Sequence, residues 1–296
     1  MPQSLVKAGH RDHNLLTAMA DDIARRAGGN DALVEKIPLM LRDCIDAVIQ
    51  TPKTGRRAYS ELEKTEKTYI GTRVEIDLRA MLRLPKGKLD AVILDQDVDI
   101  KHTMGNNWMI PTEAFDQPCI LVAADESRAR CYLGLIVARL DYLTASQNKD
   151  SKKSISASGF ENILWLLLDQ PCPSNFWRTV PPDSIERIFA GTNGNARVIT
   201  LFREVQRRPI TRAVIEATAL QQDFMRRIRG DGGRGTRDRL AAEGILLLSG
   251  HFDTPLISAL GLPMCTASEF VSYRPNDDTE VAMARSMGAE IKWGPT

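Results

Sequence analysis

An α/β protein with a mixed sheet flanked by helices, followed by a helix-rich second domain, is the fold class that the sequence predicts. Two mostly apolar stretches, 118–124 and 130–138, are typical of neighbouring buried strands. Apolar residues recur with helical spacing before these runs, at 31–48 and 62–78. The chain has 296 residues, 43% hydrophobic and 26% charged, so it is long enough for two folded domains.

Composition places the domain boundaries. Residues 144–159 are poor in large apolar side chains and residues 171–182 are rich in proline, and both features are typical of interdomain linkers. We therefore expect four segments, namely an N-terminal extension with one helix (1–30), an α/β domain (31–150), a linker region (151–180) and a C-terminal domain (181–296).

A β-hairpin is predicted between residues 89 and 101. A plausible turn at Asp95-Gln96 separates two short segments of β-favouring residues. In the second segment Val98 and Ile100 are expected to point into a core, and side chains alternate along a strand. The opposite face then carries three charged side chains, Asp97, Asp99 and Lys101.

Asp90, Asp99 and Lys101 form a candidate metal site at this hairpin. Two carboxylates supply the hard oxygen ligands that Mg²⁺ prefers, and a lysine beside them offsets negative charge on a substrate phosphate. An acid, a spacer, a second acid, any residue and a lysine also make up the short signature of the PD-(D/E)xK nucleases. The spacing alone leaves the simpler interpretation open, which is a solvated strand face.

Glu75 lies on a predicted helix just before the hairpin. Ser60 has the spacing to cap this helix together with Glu63. Because the helix is largely apolar around Glu75, its carboxylate needs a partner or a metal ion. The alternative partner is Arg79, four residues further on.

Basic residues are concentrated in two stretches although the net charge is only +1. Residues 53–88 hold ten basic and five acidic residues, and Lys64 and Lys67 are one helical turn apart there. Residues 197–239 hold 11 arginines and five acidic residues. Basic stretches on either side of an acidic hairpin favour a protein that binds a polyanion, although a solvated surface is the open alternative.

Residues 181–250 suggest a helix-turn-helix or winged-helix module. Helical patterns at 195–207 and 210–229 precede a Gly/Arg-rich break at 230–235 and a short buried strand at 243–250. The break lacks the Gly-Lys-Ser/Thr of a P-loop, and a flexible surface connection stays open as its alternative. The arginines expected to bind DNA are Arg226, Arg227, Arg229, Arg234 and Arg237.

The composition also excludes several classes of protein. No apolar run reaches the roughly 20 residues of a membrane span, and no signal pattern begins the chain, so we expect a cytoplasmic protein. The five scattered cysteines are expected to be buried free thiols rather than disulfides. The four histidines do not form a zinc-spaced cluster with them.

Colinear motifs across both domains resemble the NaeI family of type II restriction endonucleases. The similarity extends from about residue 33 to residue 263 and is far more specific than the nuclease signature alone. The motifs include Lys64-Thr65-Glu66-Lys67-Thr68, Val74-Glu75-Ile76, Val98-Asp99-Ile100-Lys101, Trp108-Met109-Ile110-Pro111, Gln222-Asp223-Phe224-Met225 and Leu260-Gly261-Leu262-Pro263.

The resemblance implies a restriction-endonuclease core followed by a helix-turn-helix domain. It also implies a homodimer that uses magnesium to cut double-stranded DNA at a palindrome, which would be GC-rich. The C-terminal domain would bind a second copy of the site as an allosteric effector. Glu75, Asp90, Asp99 and Lys101 fall on the family's active-site positions, and Asp90 is placed by its distance from Asp99, with Asp95 and Asp97 as competing acids.

Two other classes of function stay open at this point. A mismatch-repair nickase of the MutH type shares the two-acid-plus-lysine site and would cut one strand only. A DNA-binding regulator with a vestigial nuclease site would not cut at all, although the intact Asp90, Asp99 and Lys101 weigh against it.

Overall fold

The structure, a computed structural model, describes residues 4–220, 228 and 232–293. The α-helices of these residues are α1 (His13–Ala27), α2 (Asn30–Ile49), α3 (Thr51–Thr54), α4 (Lys64–Met81), α5 (Ala157–Phe160), α6 (Pro182–Phe189), α7 (Gly194–Glu204), α8 (Arg212–Ala219), α9 (Thr236–Ala242), α10 (Thr254–Ala259) and α11 (Asp278–Ser286). The strands are β1 (Ala91–Ile93), β2 (Gln96–Thr103), β3 (Met109–Ile110), β4 (Pro118–Asp125), β5 (Arg130–Val137), β6 (Lys153–Ser154), β7 (Leu164–Pro171), β8 (Ile210–Thr211), β9 (Leu246–Ser249) and β10 (Glu269–Tyr273).

The chain divides into two units by its internal contacts. The first unit contains Met1–Ile49 and Arg56–Asn175, and the second contains Gln50–Gly55 and Phe176–Thr296. No described helix has both the length and the apolar character that crossing a membrane requires.

The first unit is built on a mixed sheet with the strand order β1-β2-β4-β5-β7. β2 and β4 are parallel, whereas the other neighbouring pairs are antiparallel. The predicted mixed α/β class, with helices flanking a central sheet, is therefore confirmed for this unit. The two apolar runs of the sequence form β4 and β5.

Both faces of this sheet are covered, which explains why its central strands are apolar except at Asp125 and Arg130, where β4 ends and β5 begins. Ile120 and Val122 of β4 join one buried cluster, to which α1, α2 and α4 contribute. Cys119 and Leu121 point to the opposite face and join a second cluster around Trp108. Side chains alternate along a strand, so a strand buried on both faces shows a continuous apolar run rather than an alternating one.

The N-terminal segment, expected as an extension over residues 1–30, contributes to the core of the first unit. Leu16, Met19 and Ile23 of α1 are fully buried in the cluster on the helical face of the sheet. Asp12, just before α1, is only 2% exposed, and Arg139 donates hydrogen bonds to its carboxylate. Buried apolar side chains, and an ion pair whose carboxylate is buried, fix this segment to the sheet.

Part of the segment expected as a linker, 151–180, also lies in the sheet. β7 pairs with β5 in antiparallel orientation, with Leu133 opposite Leu167. The stretch 144–152, poor in apolar residues, is instead a loop that leads to the short β3–β6 pair. The low apolar content of this stretch therefore marks a surface loop within the first unit. Surface loops and interdomain linkers share the same polar composition, so composition alone does not distinguish them.

The second unit combines helices with a small antiparallel sheet of order β8-β10-β9. Val198 and Phe202 of α7 are fully buried in a cluster with Ile215 of α8 and Leu240 of α9. Asn193 and Thr211 cap α7 and α8, since their side chains accept hydrogen bonds from the first-turn amides. The segment between α8 and α9 lies mostly outside the described residues.

Candidate active site

The predicted hairpin forms the edge of the central sheet. β1 and β2 pair in antiparallel register, with Ala91 opposite Val98 and Ile93 opposite Gln96. The turn is at Leu94-Asp95, one residue earlier than the predicted Asp95-Gln96. Both turn residues have positive φ, 50° and 60°, which suits a two-residue hairpin turn that follows the right-handed twist of the strands.

Asp99 is the most deeply buried member of the candidate site. Its side chain is 4% exposed and lies in register with Cys119 of the parallel neighbour β4. One carboxylate oxygen, Oδ1, accepts a hydrogen bond of 2.7 Å from Lys101 Nζ. The other, Oδ2, is buried and has no hydrogen-bond partner among the described residues. A buried carboxylate oxygen without a partner is costly unless a cation or a water molecule binds it.

Asp90 and Lys101 complete the group. Asp90 Oδ2 accepts a hydrogen bond of 2.8 Å from the amide of Ile100, which fixes the carboxylate against β2. Lys101 Nζ lies 3.8 Å from the same oxygen. The structure thus brings together three of the four predicted active-site residues, two acids and one lysine.

Burial and charge shift the pKa values of this group. Burial raises the pKa of the Asp99 carboxyl to about 6, and the nearby Asp90 adds to the rise while Lys101 opposes it. For Lys101, burial favours the neutral amine, but the hydrogen bond and charge of Asp99 and the charge of Asp90 outweigh it and raise the pKa. Lys101 is therefore a stable cation.

Replacing Asp99 by asparagine should stabilise the metal-free protein near neutral pH. The folded-state pKa of about 6 exceeds the ordinary value of 3.8, so the folded protein binds this proton more tightly than the unfolded chain does. The stability that this proton contributes is full below about pH 4 and is lost as the pH rises through 6. In EDTA, Asp99→Asn should gain roughly 1–3 kcal/mol over wild type at pH 7.5, and less at pH 4. Urea unfolding at both pH values measures this, and a gain that does not depend on pH contradicts it.

Glu75 is not brought into the group. Arg79 Nη1 lies 3.0 Å from Glu75 Oε1, the alternative that the helical spacing left open, and it also donates a 3.0 Å hydrogen bond to the carbonyl of Asp90. Val74 and Leu78 of α4 pack in the cluster on one face of the sheet, whereas alternation along β2 places Asp99 on the other face. Among the described residues no cluster of three or more His, Cys, Asp or Glu side chains is arranged to hold a metal ion.

The two competing acids of the hairpin lie elsewhere. Asp97 Oδ1 accepts a hydrogen bond of 2.7 Å from the amide of Lys88, so this carboxylate closes the turn that leads into the hairpin. Gly87 is needed beside it, because an added Cβ atom would lie 2.1 Å from Asp97 Oδ1. Asp95 is exposed at the hairpin turn. Asp90 and Asp99 are thus the two carboxylates that meet Lys101.

The remaining predicted contacts are distributed over both units. Lys64 is exposed at the start of α4, whereas Lys67 Nζ lies 5.2 Å above the ring of Tyr59. Glu63 with Glu66 forms the cap of α4, in place of the predicted Ser60 with Glu63. Two of the predicted DNA contacts lie among the described residues of the second unit. Arg234 is exposed, and Arg237 Nη2 lies 3.1 Å from Asp253 Oδ2. The predicted DNA contacts Arg226, Arg227 and Arg229 lie outside the described residues.

The sequence analysis missed Arg79 as a contact of the site. Its spacing from Glu75 was visible, but its second contact depends on how the chain before β1 approaches α4. Four of the five cysteines are buried free thiols as predicted, and Cys265 is partly exposed.

Comparison with known proteins identifies the family. The chain matches the family "Restriction endonuclease NaeI" over residues 21–285. It is also 34% identical over 245 residues to the type II restriction enzyme NaeI of Lentzea aerocolonigenes, and this alignment covers 79% of the chain and 76% of the relative. These matches span both units and do not favour a mismatch-repair nickase or an inactive regulator. The chain belongs to the NaeI family of restriction endonucleases, which are site-specific deoxyribonucleases.

Proposed function

We propose that this restriction endonuclease hydrolyses double-stranded DNA with magnesium at the site formed by Asp90, Asp99 and Lys101. The observation that carries the proposal is the buried Oδ2 of Asp99, which has no hydrogen-bond partner among the described residues. Restriction endonucleases generally use a divalent metal. A cation bound to this oxygen of Asp99 would offset the free-energy cost of burying it without a hydrogen-bond partner. Two carboxylates suit magnesium, which keeps several water molecules and binds substrate phosphate as well.

Asp90 and Asp99, with the carbonyl of Ile100, are the groups that would hold the ion. The hydrogen bond from the Ile100 amide already fixes Asp90 beside β2, so little rearrangement of that carboxylate is needed. When bound, the metal ion would polarise the scissile phosphate and lower the pKa of a water molecule.

Lys101 acts in this proposal as an electrostatic stabiliser. Asp99 and Asp90 raise its pKa, so it keeps its proton at neutral pH and is a poor general base. Its ammonium group offsets the charge that develops on the phosphate during attack by water. Glu75 is a positioning residue, since it holds Arg79, which in turn holds the carbonyl of Asp90.

The second unit is proposed to bind a second copy of the DNA site. Its order of elements, with α7, β8, α8, α9 and β9 followed by β10 at the centre of the sheet, supports a winged-helix type of helix-turn-helix module. Arg234 is exposed just before α9, and Arg237 lies within it. We propose that these arginines, with Arg226, Arg227 and Arg229, contact the phosphates of an effector duplex, while Lys64 and Lys67 contact the cleaved one.

A homodimer is the proposed active form. A palindromic site presents the same sequence to two protomers, and two active sites are needed to cut both strands. A GC-rich site of this kind is proposed from the likeness to the NaeI family. Digestion of supercoiled plasmid with magnesium, followed by sequencing of the ends, tests the function. Linear product with fixed ends supports it, whereas a stable nicked product supports the nickase instead.

An added effector duplex should accelerate cleavage of a plasmid that has one site. The proposed reason is that a plasmid with one site offers only one copy of the recognition sequence. The added duplex supplies a second copy, which binds to the second unit. Cleavage rate is measured against the concentration of a short uncleavable duplex that carries the site, with a scrambled duplex as control. A rate that only decreases as the specific duplex is added contradicts the two-site proposal, because simple competition predicts that decrease.

A further inference from the structure

The loop between β9 and α10 exposes an aromatic pair. Phe252 is 72% exposed, more than the other large apolar side chains that stand out as exposed in the described residues. The ring of His251, also exposed, lies 4.4 Å from it at an interplanar angle of 81°. Large exposed apolar side chains at one point of a surface often mark a contact site.

Four hydrogen bonds fix the loop that carries this pair. Asp253 Oδ2 accepts from the Ser249 amide at 2.7 Å, and the Asp253 amide donates to the Ser249 carbonyl at 2.8 Å. The His251 amide donates to Ser249 Oγ, and Thr254 Oγ1 donates to the Gly250 carbonyl. This network holds the backbone in the conformation that exposes the aromatic pair.

Gly250 adds a second constraint on the loop. An added Cβ atom there would lie 2.1 Å from the carbonyl oxygen of Thr266 and 2.7 Å from Cβ of Cys265. The loop therefore packs tightly against the chain that returns toward β10. The exposure of Phe252 is a property of this packed arrangement and persists unless the loop refolds.

The loop is also tied to the basic helix of the same unit. Arg237 Nη2 of α9 lies 3.1 Å from Asp253 Oδ2, the oxygen that also accepts from the Ser249 amide. The aromatic pair thus adjoins the helix that carries Arg237 and follows the exposed Arg234. An arginine-bearing helix beside a fixed, exposed aromatic ring is suited to nucleic acid. The arginines can bind phosphates and the ring can stack on a base.

We propose that Phe252 stacks on a base at an unstacked step of the duplex bound by the second unit. The inference rests on the proposed effector site and adds to it the residue that deforms the duplex. An apolar ring is the kind of side chain that separates neighbouring base pairs and bends DNA. The alternative occupant, a second copy of this chain, is an outcome of the test below.

The test uses the full chain with the Lys101→Ala substitution, in Ca²⁺ so that the duplex that carries the site stays uncut. A fluorescent analogue replaces bases at successive positions, 2-aminopurine for adenines and pyrrolo-cytosine for cytosines, because the fluorescence of each increases when the base is unstacked. We expect an increase at one position, which Phe252→Ala abolishes. Phe252→Ala should also weaken duplex binding roughly 5- to 100-fold, as expected for the loss of one base–aromatic stack. Phe252→Leu should retain part of the signal, since leucine also serves as a wedge.

Met287→Ala is the matched control, since Met287 is a large apolar side chain, 44% exposed, that lies just after α11. It should bind and unstack the duplex as the parent does. Equal fluorescence and affinity for Phe252→Ala and Met287→Ala overturn the inference. So does a Phe252→Ala variant that changes only the oligomeric state in sedimentation, which would assign the ring to self-association.

Arg234→Ala, made in the chain with Lys101 intact, separates this inference from the proposed effector site, because Arg234 is exposed and its side chain takes no part in the hydrogen bonds that fix the loop. If Arg234→Ala removes stimulation by added duplex while Phe252→Ala leaves fluorescence and stimulation unchanged, the effector site stands and the role of Phe252 is wrong. If neither substitution changes stimulation or fluorescence, both proposals are wrong. If both substitutions reduce stimulation and only Phe252→Ala removes the fluorescence increase, both proposals are supported.

Discussion

Replacing Lys101 by alanine is expected to lower the cleavage rate by at least about 10²–10³-fold, the effect of removing one group that stabilises transition-state charge. The ammonium group lies 2.7 Å from Asp99 Oδ1 and 3.8 Å from Asp90 Oδ2, whereas Arg79 contacts Glu75 and the carbonyl of Asp90. Asp99→Ala should remove cleavage at least as completely, because it deletes the carboxylate with the buried unpartnered oxygen. Single-turnover cleavage of a labelled duplex measures both rates.

Asp95→Asn is the matched control for these variants. Asp95 is an exposed acid on the same hairpin, and asparagine tolerates its positive φ of 60°. Its cleavage rate should equal that of wild type, and all three variants should still bind the duplex in a gel-shift assay with Ca²⁺. Normal cleavage by Lys101→Ala, or loss of cleavage in Asp95→Asn, refutes the assignment of the site.

Arg139→Ala is expected to destabilise the first unit by about 1–3 kcal/mol, the range for leaving a buried acceptor without its hydrogen-bond partner, because Asp12 is buried whereas Arg139 is 31% exposed. Asp12 is 2% exposed and accepts hydrogen bonds of 3.0 and 3.1 Å from Arg139 Nε. Without the guanidinium, this carboxylate is left with much less compensation in a buried environment. Urea unfolding, followed by circular dichroism and by the fluorescence of the four tryptophans, measures the change.

Arg128→Ala is the control for this prediction. Arg128 is 63% exposed and lies 3.7 Å from Asp169, which is 48% exposed, so its loss should cost only about 0–1 kcal/mol. A similar small effect of Arg139→Ala would show that the segment before α1 contributes little to the stability of the unit. That result would support the sequence-based expectation that residues 1–30 are an extension rather than part of the core of the unit.

The hairpin and the central strands could be predicted from the sequence because their signals are local. Alternation around Val98 and Ile100 gave β2, and the continuous apolar runs gave β4 and β5. The pairing of Asp99 with Lys101 follows from this alternation, since residues two apart share one face of a strand. The turn was displaced by one residue, because the sequence does not reveal which residues adopt positive φ.

Other features depend on contacts between distant residues and were not predictable in the same way. The burial of Asp12 depends on Arg139, which lies 127 residues further along the chain. The position of Glu75 depends on α4 packing against one face of the sheet while Asp99 occupies the other. The segment 144–152 has the composition of a linker, yet it forms a loop inside the first unit. Composition and periodicity carry no information on these long-range pairings.

The position of a bound ion tests the central claim most directly. A crystal grown with Mn²⁺ and a site-bearing duplex would show the ion by its anomalous scattering. We predict a peak about 2.1 Å from carboxylate oxygens of both Asp90 and Asp99. A peak bound instead by Asp95 or Asp97, or no peak between Asp90 and Asp99 under conditions in which the crystal cuts DNA, would contradict the account.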